Sequence, residues 1–324
     1  MWICRYQTLT RRSFLPSLFA RHLAVVFRFR PLNSNEKSHH RTWKVLPKYS
    51  SVTQTTTEGK PLAERITGRT FFSFDKTFGE DTTTKEVYDS VAKGIVSSAV
   101  SGLNGTIFAY GQTSSGKTYT MQGSGSIKEG SAKAGGIVHM AAADIFQHIR
   151  DTPDRMFLVR VSFIEIYKEE VFDLLSNDST GHKDKKSLPI REDPRRGVFV
   201  ESKEEIVTDF DSLLSVLVHG EKSRAFASTA MNERSSRSHT IFRITVESRE
   251  KSAETKFESD SDNDENVGAS DGAVRVSSLN LVDLAGSESV RHTGATGERQ
   301  KEGGMINTRY VSLLILSHVH PVFY

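Results

Sequence analysis

The segment GQTSSGKT at residues 111–118 constrains this chain more than any other feature of its sequence. It matches the pattern Gly-x-x-x-x-Gly-Lys-Ser/Thr, in which glycines let backbone N–H groups turn inward around a polyphosphate. In that pattern the lysine charge lies between the terminal phosphates, and the last hydroxyl ligates magnesium. The candidate phosphate-binding residues are Gly111, Gln112, Thr113, Ser114, Ser115, Gly116, Lys117 and Thr118.

The surroundings of this loop also fit a nucleotide site. Residues 106–110 form a short apolar run typical of a buried strand, and a helix is predicted to begin after Thr118. A helix that starts at the loop adds its positive N-terminal end to the phosphate site. The sequence therefore predicts binding of a nucleotide with Mg2+, without yet saying what binding achieves.

Composition narrows the remaining classes of protein. A chain of 324 residues with 36% hydrophobic content is long enough to bury a sizeable core. Its net charge of +3 is too small to predict attraction of the whole molecule to nucleic acid. The single cysteine excludes a disulfide framework, and no apolar run approaches the roughly 18 residues that span a bilayer. We therefore expect no nucleic-acid partner and no membrane span.

Strand-like and helical patterns alternate along most of the chain. Strands are predicted at 22–29, 106–110, 157–167, 240–246 and 274–282, and helices at 84–100, 137–149 and 209–227. Thr208 and Asp211 are expected to cap the last helix. The polar, acidic stretch 251–271 is typical of a flexible surface loop between two strands. With no proline- or glycine-rich linker, this alternation favours one α/β domain over 22–324 with a central sheet.

Residues 1–21 differ in composition from the rest. The first 30 residues carry six arginines, and the first acidic residue is Glu36. Arginine-rich, acid-poor N-termini resemble organelle targeting segments. The alternative is an ordinary basic extension ahead of the first strand, and we favour it because composition alone supports targeting.

Two further segments have the chemistry that hydrolysis needs. Residues 232–239 (NERSSRSH) place hydroxyls around an arginine just before a strand, and 283–288 (DLAGSE) follow a strong apolar strand. An acidic residue at a strand end can hold the water shell of magnesium, and a following glycine N–H can meet a γ-phosphate oxygen. Each segment alone is also an ordinary loop composition, whereas together with residues 111–118 they form a coherent site.

In this order and spacing, the three segments resemble the P-loop, switch I (232–239) and switch II (283–288) of kinesin motor domains. Residues 28–33 (RFRPLN), 167–175 (YKEEVFDLL) and 303–307 (GGMIN) are similar to kinesins as well. The stretches 108–121 and 235–249 are most similar to the kinesin-7 branch of centromere-associated motors. The resemblance covers about 23–308. It implies the P-loop NTPase-type kinesin fold, a central mixed β-sheet flanked by helices, and ATP hydrolysis coupled to microtubule binding and movement.

The resemblance also implies roles for single residues. Ser236 would join Thr118 at magnesium, and Asp283 would act through the water shell of the ion. Ser235 would hold the attacking water, and the N–H of Gly286 would reach the γ-phosphate. Further expected site residues are Asn232, which orients switch I, Arg237 and Glu288, which form a salt bridge in the ATP state, and Arg28, Pro31 and Tyr119, which border the adenine.

Microtubules are acidic, so the face that binds them should be basic. The candidates are Arg191, Arg195 and Arg196 near a predicted hairpin, and Arg291, His292, Arg299, Lys301 and Arg309 around the helix after switch II. Scattered surface arginines are usually only solvated, so this expectation depends on the resemblance. It implies a location on the microtubule cytoskeleton, with targeting to an organelle as the alternative.

The chain departs from the kinesin pattern near its C-terminus. After 306–308 (INT) comes an apparent three-residue insertion at 309–311, and the chain ends at Tyr324. We expect the second filament-binding helix, a final strand, a last helix, the neck linker and an oligomerisation region to be absent. Lys168 also replaces the asparagine usual after the tyrosine before it. Three interpretations remain: a motor ATPase represented in part, a truncated microtubule binder without motility, and another kind of P-loop protein.

Overall fold

The computed structural model describes residues 2–9, 22–38, 41–64, 67–123, 135–176, 187–193, 197–229, 234–251 and 273–288. The strands are β1 (Trp2–Leu9), β2 (His22–Arg28), β3 (Trp43–Leu46), β4 (Ser51–Gln54), β5 (Phe72–Ser73), β6 (Lys76–Phe78), β7 (Asn104–Gly111), β8 (Arg155–Tyr167), β9 (Glu170–Asp173), β10 (Ile190–Asp193), β11 (Gly197–Val200), β12 (Glu205–Val207), β13 (His239–Glu250) and β14 (Arg275–Asp283). The α-helices are α1 (Thr84–Val87), α2 (Lys93–Val100), α3 (Lys117–Gln122), α4 (Ile137–Asp151), α5 (Phe210–Thr229) and α6 (Arg234–Arg237), with a π-helical turn (Tyr88–Ala92) between α1 and α2.

Nine strands form one mixed sheet. Their order across it is β12, β8, β13, β14, β7, β1, β2 and β6, and β9 pairs with β8 outside this path. β14 and β7 run parallel, whereas β13 is antiparallel to both β8 and β14. Because β7 and β14 are parallel neighbours, their C-terminal ends bring the P-loop and switch II to one edge of the sheet. This is the central mixed β-sheet flanked by helices that the sequence predicts.

Alternation along the strands gives the sheet an apolar side chain on each face. Leu281 belongs to the larger apolar cluster, which includes residues of α2, α4 and α5, whereas its neighbour Val282 belongs to a smaller cluster on the other face. On β13, Phe242 belongs to the larger cluster and Ile241 to the smaller one. The central strands are therefore buried on both faces, which explains their nearly continuous apolar sequence.

The predicted helices and strands are confirmed with small shifts of their ends. The helix expected at 84–100 is present, and Thr83 begins it with a capping box to Glu86. The expected capping pair of Thr208 and Asp211 is wrong. α5 begins one residue later than that pair requires, so Asp209 accepts from the N–H of Ser212 at 2.7 Å instead.

The tight turn after β8 shows a backbone that the sequence did not predict. Lys168 and Glu169 both have positive φ, at 50° and 67°. Two such residues in succession are typical of a hairpin turn that favours Asn-Gly. The lysine that replaces an asparagine here therefore carries backbone strain, in addition to being an exposed change.

The N-terminal segment is the largest difference from expectation. The sequence pattern predicts no strand over residues 1–21, yet β1 lies inside the main sheet between β7 and β2. The apolar residues of this segment are interrupted by Arg5, so its pattern alone did not identify a strand. No helix in the described part of the chain is both long and apolar enough to cross a membrane.

Candidate nucleotide-binding site

The P-loop joins the end of β7 to the start of α3. It turns sharply, with φ of 63° at Ser114 and 91° at Gly116. Gly116 reaches this conformation without a Cβ clash, which explains the glycine immediately before the helix. The N–H of Thr120 then bonds to the Gly116 carbonyl at 3.0 Å and starts the helical ladder. The expected strand–loop–helix context is confirmed.

Lys117 lies inside the loop that it belongs to. Its side chain is buried, and its ammonium donates to the carbonyls of Gly111 and Gln112, both at 2.9 Å. Burial lowers the pKa of Lys117, while the charges of Asp283 and Glu288 oppose that shift. The ammonium is thus already held at the mouth of the loop, and phosphate oxygens could replace the two carbonyls as its partners.

Thr118 and Asp283 meet as the magnesium assignment requires. The Thr118 hydroxyl donates to Asp283 Oδ2 at 2.6 Å, although the two residues are 165 positions apart. Burial raises the pKa of the Asp283 carboxyl, against the opposing effects of Arg224, Thr118 and Lys117. Its second oxygen, Oδ1, is buried and has no hydrogen-bond partner among the described residues. A buried, unpaired carboxylate oxygen beside a hydroxyl suits the hydrated shell of Mg2+.

The switch segments touch through their backbones. The N–H of Gly286 donates to the Ser236 carbonyl at 2.7 Å. The N–H of Ala285 donates to Nδ1 of His239, a fully buried side chain, at 3.0 Å. The Ser287 N–H bonds to the Gly111 carbonyl at 3.0 Å. Switch II is therefore tied both to switch I and to the P-loop, and the Gly286 N–H expected to reach the γ-phosphate is engaged by Ser236 in this state.

Glu288 contacts the P-loop. Its carboxylate accepts from the Thr113 N–H at 2.8 Å and from the Thr113 hydroxyl. Burial pushes the pKa of Glu288 upward, but the two bonds from Thr113, the backbone N–H of Glu288 and the charge of Lys117 together hold that pKa below its usual value. A Cβ on Gly286 would lie 2.4 Å from both carboxylate oxygens, so only glycine permits this approach. Arg237, the expected partner of Glu288, lies half-buried in α6, and their bridge in the ATP state stays a prediction.

The three residues expected at the adenine differ in accessibility. Tyr119 is 54% exposed on α3 and Pro31 is exposed, so both can offer a surface to a base. Arg28 is only 4% exposed, and its guanidinium donates to Thr120 Oγ1 at 2.9 Å and to the Thr82 carbonyl at 3.1 Å. Arg28 therefore supports α3 from within the fold.

Sequence analysis did not identify Arg30, which contacts the P-loop directly. Its Nε donates to the Ser114 carbonyl at 2.8 Å, and its guanidinium forms a two-pronged contact with Glu36. The Arg30 hydrogen bond lowers the pKa of Glu36 to about 2. The signal was present in the RFRP run, where the second arginine comes immediately before the proline.

A buried polar layer beneath the switches was also missed. Arg224 of α5 donates to Ser238 Oγ at 3.3 Å and lies 3.8 Å from Glu165, which is fully buried on β8. One turn earlier, Glu221 accepts from Gln122 at the end of α3 at 2.7 Å. Helix α5 thus contacts both the P-loop helix and the end of switch I. Charged residues within an apolar helical stripe were the only sequence signal for this layer.

Several expected residues lie outside the described part of the chain. They are Asn232, the predicted loop 251–271 except Lys251, Arg195, Arg196, Arg291, His292, Arg299, Lys301, Arg309 and the insertion at 309–311. For Ser235 only the backbone is described, within α6. The hairpin predicted near Arg191 is confirmed as β10 and β11. Arg191 Nη2 lies 3.4 Å from Oε2 of Glu201, the residue after β11.

Comparison with known proteins agrees with this geometry. A family model described as the kinesin motor domain matches residues 28–320. Centromere-associated protein E of Homo sapiens is 46% identical over 298 residues, which are 92% of this chain and 10% of that protein. Kinesin-like protein KIN-7I of Oryza sativa subsp. japonica is 44% identical over 293 residues, 90% of this chain and 21% of that protein. This chain thus spans about a tenth to a fifth of these relatives.

A solved structure of a fast kinesin superimposes with a TM-score of 0.68 at 33% sequence identity, covering 86% of this chain and 70% of that one. These matches exclude the interpretation as another kind of P-loop protein, and the similarity to KIN-7 proteins agrees with the kinesin-7 branch. The chain belongs to the kinesin motor-domain family.

Proposed function

We propose that this chain is the ATP-hydrolysing part of a microtubule motor, coupling loss of the γ-phosphate to filament binding and movement. The observation that carries the proposal is the meeting of three distant segments: Gly286 of switch II bonds to Ser236 of switch I, and Glu288 bonds to Thr113 of the P-loop. We place the terminal phosphate beside these two contacts, so that a bound nucleotide would change both.

The P-loop residues Gly111 to Thr118 would hold the triphosphate, with Pro31 and Tyr119 beside the adenine. Lys117 would exchange the carbonyls of Gly111 and Gln112 for phosphate oxygens. Positioning and electrostatic stabilisation are the main catalytic effects in phosphoryl transfer. The loop backbone is already turned, so the change left to make is the exchange of partners at Lys117.

Thr118, Ser236 and Asp283 are the residues that would hold Mg2+, the last through water. The ion would neutralise charge on the phosphate oxygens during transfer. Asp283 Oδ2 already orients the Thr118 hydroxyl, while Oδ1 is left to accept from a water. We assign Ser235 to hold the attacking water in line with the γ-phosphate and Asn232 to orient switch I.

Closure of the site would exchange one set of contacts for another. The Gly286 N–H would leave the Ser236 carbonyl for a γ-phosphate oxygen, and Glu288 would leave Thr113 for Arg237. An ion pair made in only one state suits a switch, since breaking one partner of a buried pair costs about 3–5 kcal/mol. Phosphate release would then return the segments to the arrangement seen here.

The proposed partner is the microtubule, whose acidic surface would meet basic side chains of this chain. Arg191 is the described candidate, and its contact with Glu201 is exposed on both sides and therefore weak. Association with microtubules would put the protein in the cytoplasm on the cytoskeleton. Targeting to an organelle through the N-terminal arginines is the alternative location.

Co-sedimentation with microtubules tests this function. The chain should pellet with microtubules more strongly with a non-hydrolysable ATP analogue than with ADP. Lys117→Ala should abolish the difference between nucleotides, while Lys93→Ala, an exposed lysine on α2, should keep it. Pelleting that ignores the nucleotide would contradict the proposal. Turnover that is not stimulated by microtubules would instead identify the non-motile binder.

A further inference from the structure

Strand β1 pairs along both of its edges with strands that lead to the nucleotide site. On one side it runs antiparallel to β7, from Trp2 opposite Gly111 to Leu9 opposite Asn104. On the other side it runs antiparallel to β2, from Trp2 opposite Arg28 to Thr8 opposite His22. The strand is thus a central member of the sheet over nearly its whole length.

The two neighbours of β1 end at different halves of the site. β7 ends at Gly111, the first residue of the phosphate-binding loop, and β2 ends at Arg28, three residues before Pro31 on the adenine side. Trp2 is level with both Gly111 and Arg28. The phosphate half and the base half of the site therefore meet across a single residue of β1.

With β1 between them, β2 and β7 are too far apart to form hydrogen bonds with each other. Neighbouring strands lie about 4.8 Å apart, so two strands separated by a third are roughly 9.6 Å apart. Backbone hydrogen bonds reach about 3 Å between nitrogen and oxygen. The other edge of β2 pairs with β6, and the other edge of β7 pairs with β14. Within the described sheet, β1 alone joins the β2–β6 pair to the remaining strands.

We propose that β1 is a positioning element of the nucleotide site, which sets the register and separation of the phosphate-binding loop and the adenine side. The proposal rests on the nucleotide function proposed above. It gives the segment Trp2–Leu9 a role that depends on its backbone hydrogen bonds. A targeting role would depend on its arginine side chains instead.

Hydrogen–deuterium exchange on the intact, nucleotide-free chain tests whether β1 is formed in solution. Amides of residues 3–8 should exchange at least about 100-fold more slowly than in a peptide of residues 1–10, as expected for an inner strand. Their protection should approach that of β7. Exchange at the peptide rate would overturn the proposal without affecting the proposed ATPase function.

A pair of substitutions at Cys4 tests positioning. Cys4 lies opposite both Val26 and Ala109, so Cys4→Pro removes a ladder hydrogen bond whichever neighbour receives it. Cys4→Val keeps the N–H and favours a strand, and serves as the matched control. Relative to the control, Cys4→Pro should weaken ATP binding by about tenfold or more.

Inorganic tripolyphosphate separates positioning from mere stability. It requires only the phosphate-binding loop, so its affinity should change less than about threefold in Cys4→Pro, lowering the preference for ATP over tripolyphosphate. If Cys4→Pro loses equal affinity for ATP and for tripolyphosphate, or loses none for either, the proposal that β1 positions the site is overturned. If the proline variant does not fold, the same two titrations on Cys4→Gly, which weakens a strand interior without removing its N–H, decide between the outcomes. If the wild-type chain binds neither ligand, the proposed function fails, whereas the exchange result still reports on the strand.

The arginine control completes the design. Arg5→Gln removes a charge from β1 and leaves its backbone able to pair, so ATP affinity and the preference over tripolyphosphate should both stay within about twofold of wild type. A loss of preference matching that of Cys4→Pro would assign the effect to the charge of the segment and contradict a backbone role.

Discussion

The phosphate-binding loop and the two switch segments face each other across the same site but are held in different ways. The loop is fixed by local structure: β7 enters it, α3 leaves it, and Lys117 is buried against the carbonyls of Gly111 and Gln112. The switches are held by a few contacts between distant residues, such as Gly286 with Ser236 and Glu288 with Thr113. A ligand can exchange such contacts without disturbing the core.

This difference indicates that the loop binds the nucleotide and that the switches change their contacts in response to it. The backbone of the loop is already turned between β7 and α3, so the main change on receiving phosphates is that Lys117 exchanges its two carbonyl partners. The switches must instead give up contacts that join distant segments before they can engage the γ-phosphate. Removal of the buried lysine of the loop should therefore abolish nucleotide binding, whereas substitutions in the switches should leave nucleotide binding intact and uncouple it from hydrolysis and from the filament.

The largest effect is expected at Lys117. Lys117→Ala removes the buried charge that would pair with the terminal phosphates, so nucleotide binding should weaken by about 4 kcal/mol, or roughly 1000-fold in Kd. Titration with a fluorescent ATP analogue measures this. Lys93→Ala should bind like wild type. A loss of ATP affinity of tenfold or less in Lys117→Ala would contradict the assignment of this loop as the part of the site that binds the phosphates.

Asp283→Asn should lower kcat by roughly 100-fold or more, because the amide keeps the shape of the side chain but removes the negative charge next to Thr118. Steady-state phosphate release measures this effect.

The raised pKa of the Asp283 carboxyl also affects the stability of the nucleotide-free chain. A carboxyl with a folded pKa above its unfolded value favours folding at low pH, and this contribution is lost as pH rises through the folded pKa. Asp283→Asn should therefore unfold at higher denaturant concentration than wild type near neutral pH, and the gain should shrink in acid. A variant less stable than wild type at neutral pH would contradict the sign of the shift.

A smaller and more selective effect is expected in switch II. Glu288→Ala should still bind ATP, but its microtubule-stimulated turnover should fall by about 10- to 100-fold, since the bridge to Arg237 can no longer form. Parallel titration and turnover assays separate the two properties. Unchanged turnover would remove Glu288 from the switch.

The smallest effect is expected at Thr113. Thr113→Val removes the hydroxyl that bonds Glu288 but keeps the backbone N–H, so the contact that nucleotide must displace becomes weaker. ATP binding should tighten by about threefold or less. If Thr113→Val binds ATP ten times more weakly than wild type, the hydroxyl of Thr113 contacts the nucleotide itself.

Prediction from sequence succeeded where structure is local. The strand–loop–helix around Gly111 to Thr118 and the helix at 84–100 follow from neighbouring residues, and both are present. The meeting of Thr118 with Asp283 was expected only from the family resemblance, since 165 positions separate them.

Prediction from sequence failed for contacts between residues that are far apart in the chain. The Glu288–Thr113 contact joins residues 175 positions apart, and nothing in either segment specifies it. The burial of Arg28 and its hydrogen bonds to Thr120 and the Thr82 carbonyl were not predicted, and its place beside the adenine stays a prediction. β1 was missed because its pattern is irregular and its pairing depends on two distant strands.

Steady-state phosphate release with increasing microtubule concentration tests the central claim most directly. The wild-type chain should hydrolyse ATP slowly alone, and its rate should rise to a plateau as microtubules are added, while Glu288→Ala stays near the unstimulated rate. A wild-type rate that does not change with microtubules would contradict the account, because the exchange of switch contacts would then be disconnected from the filament.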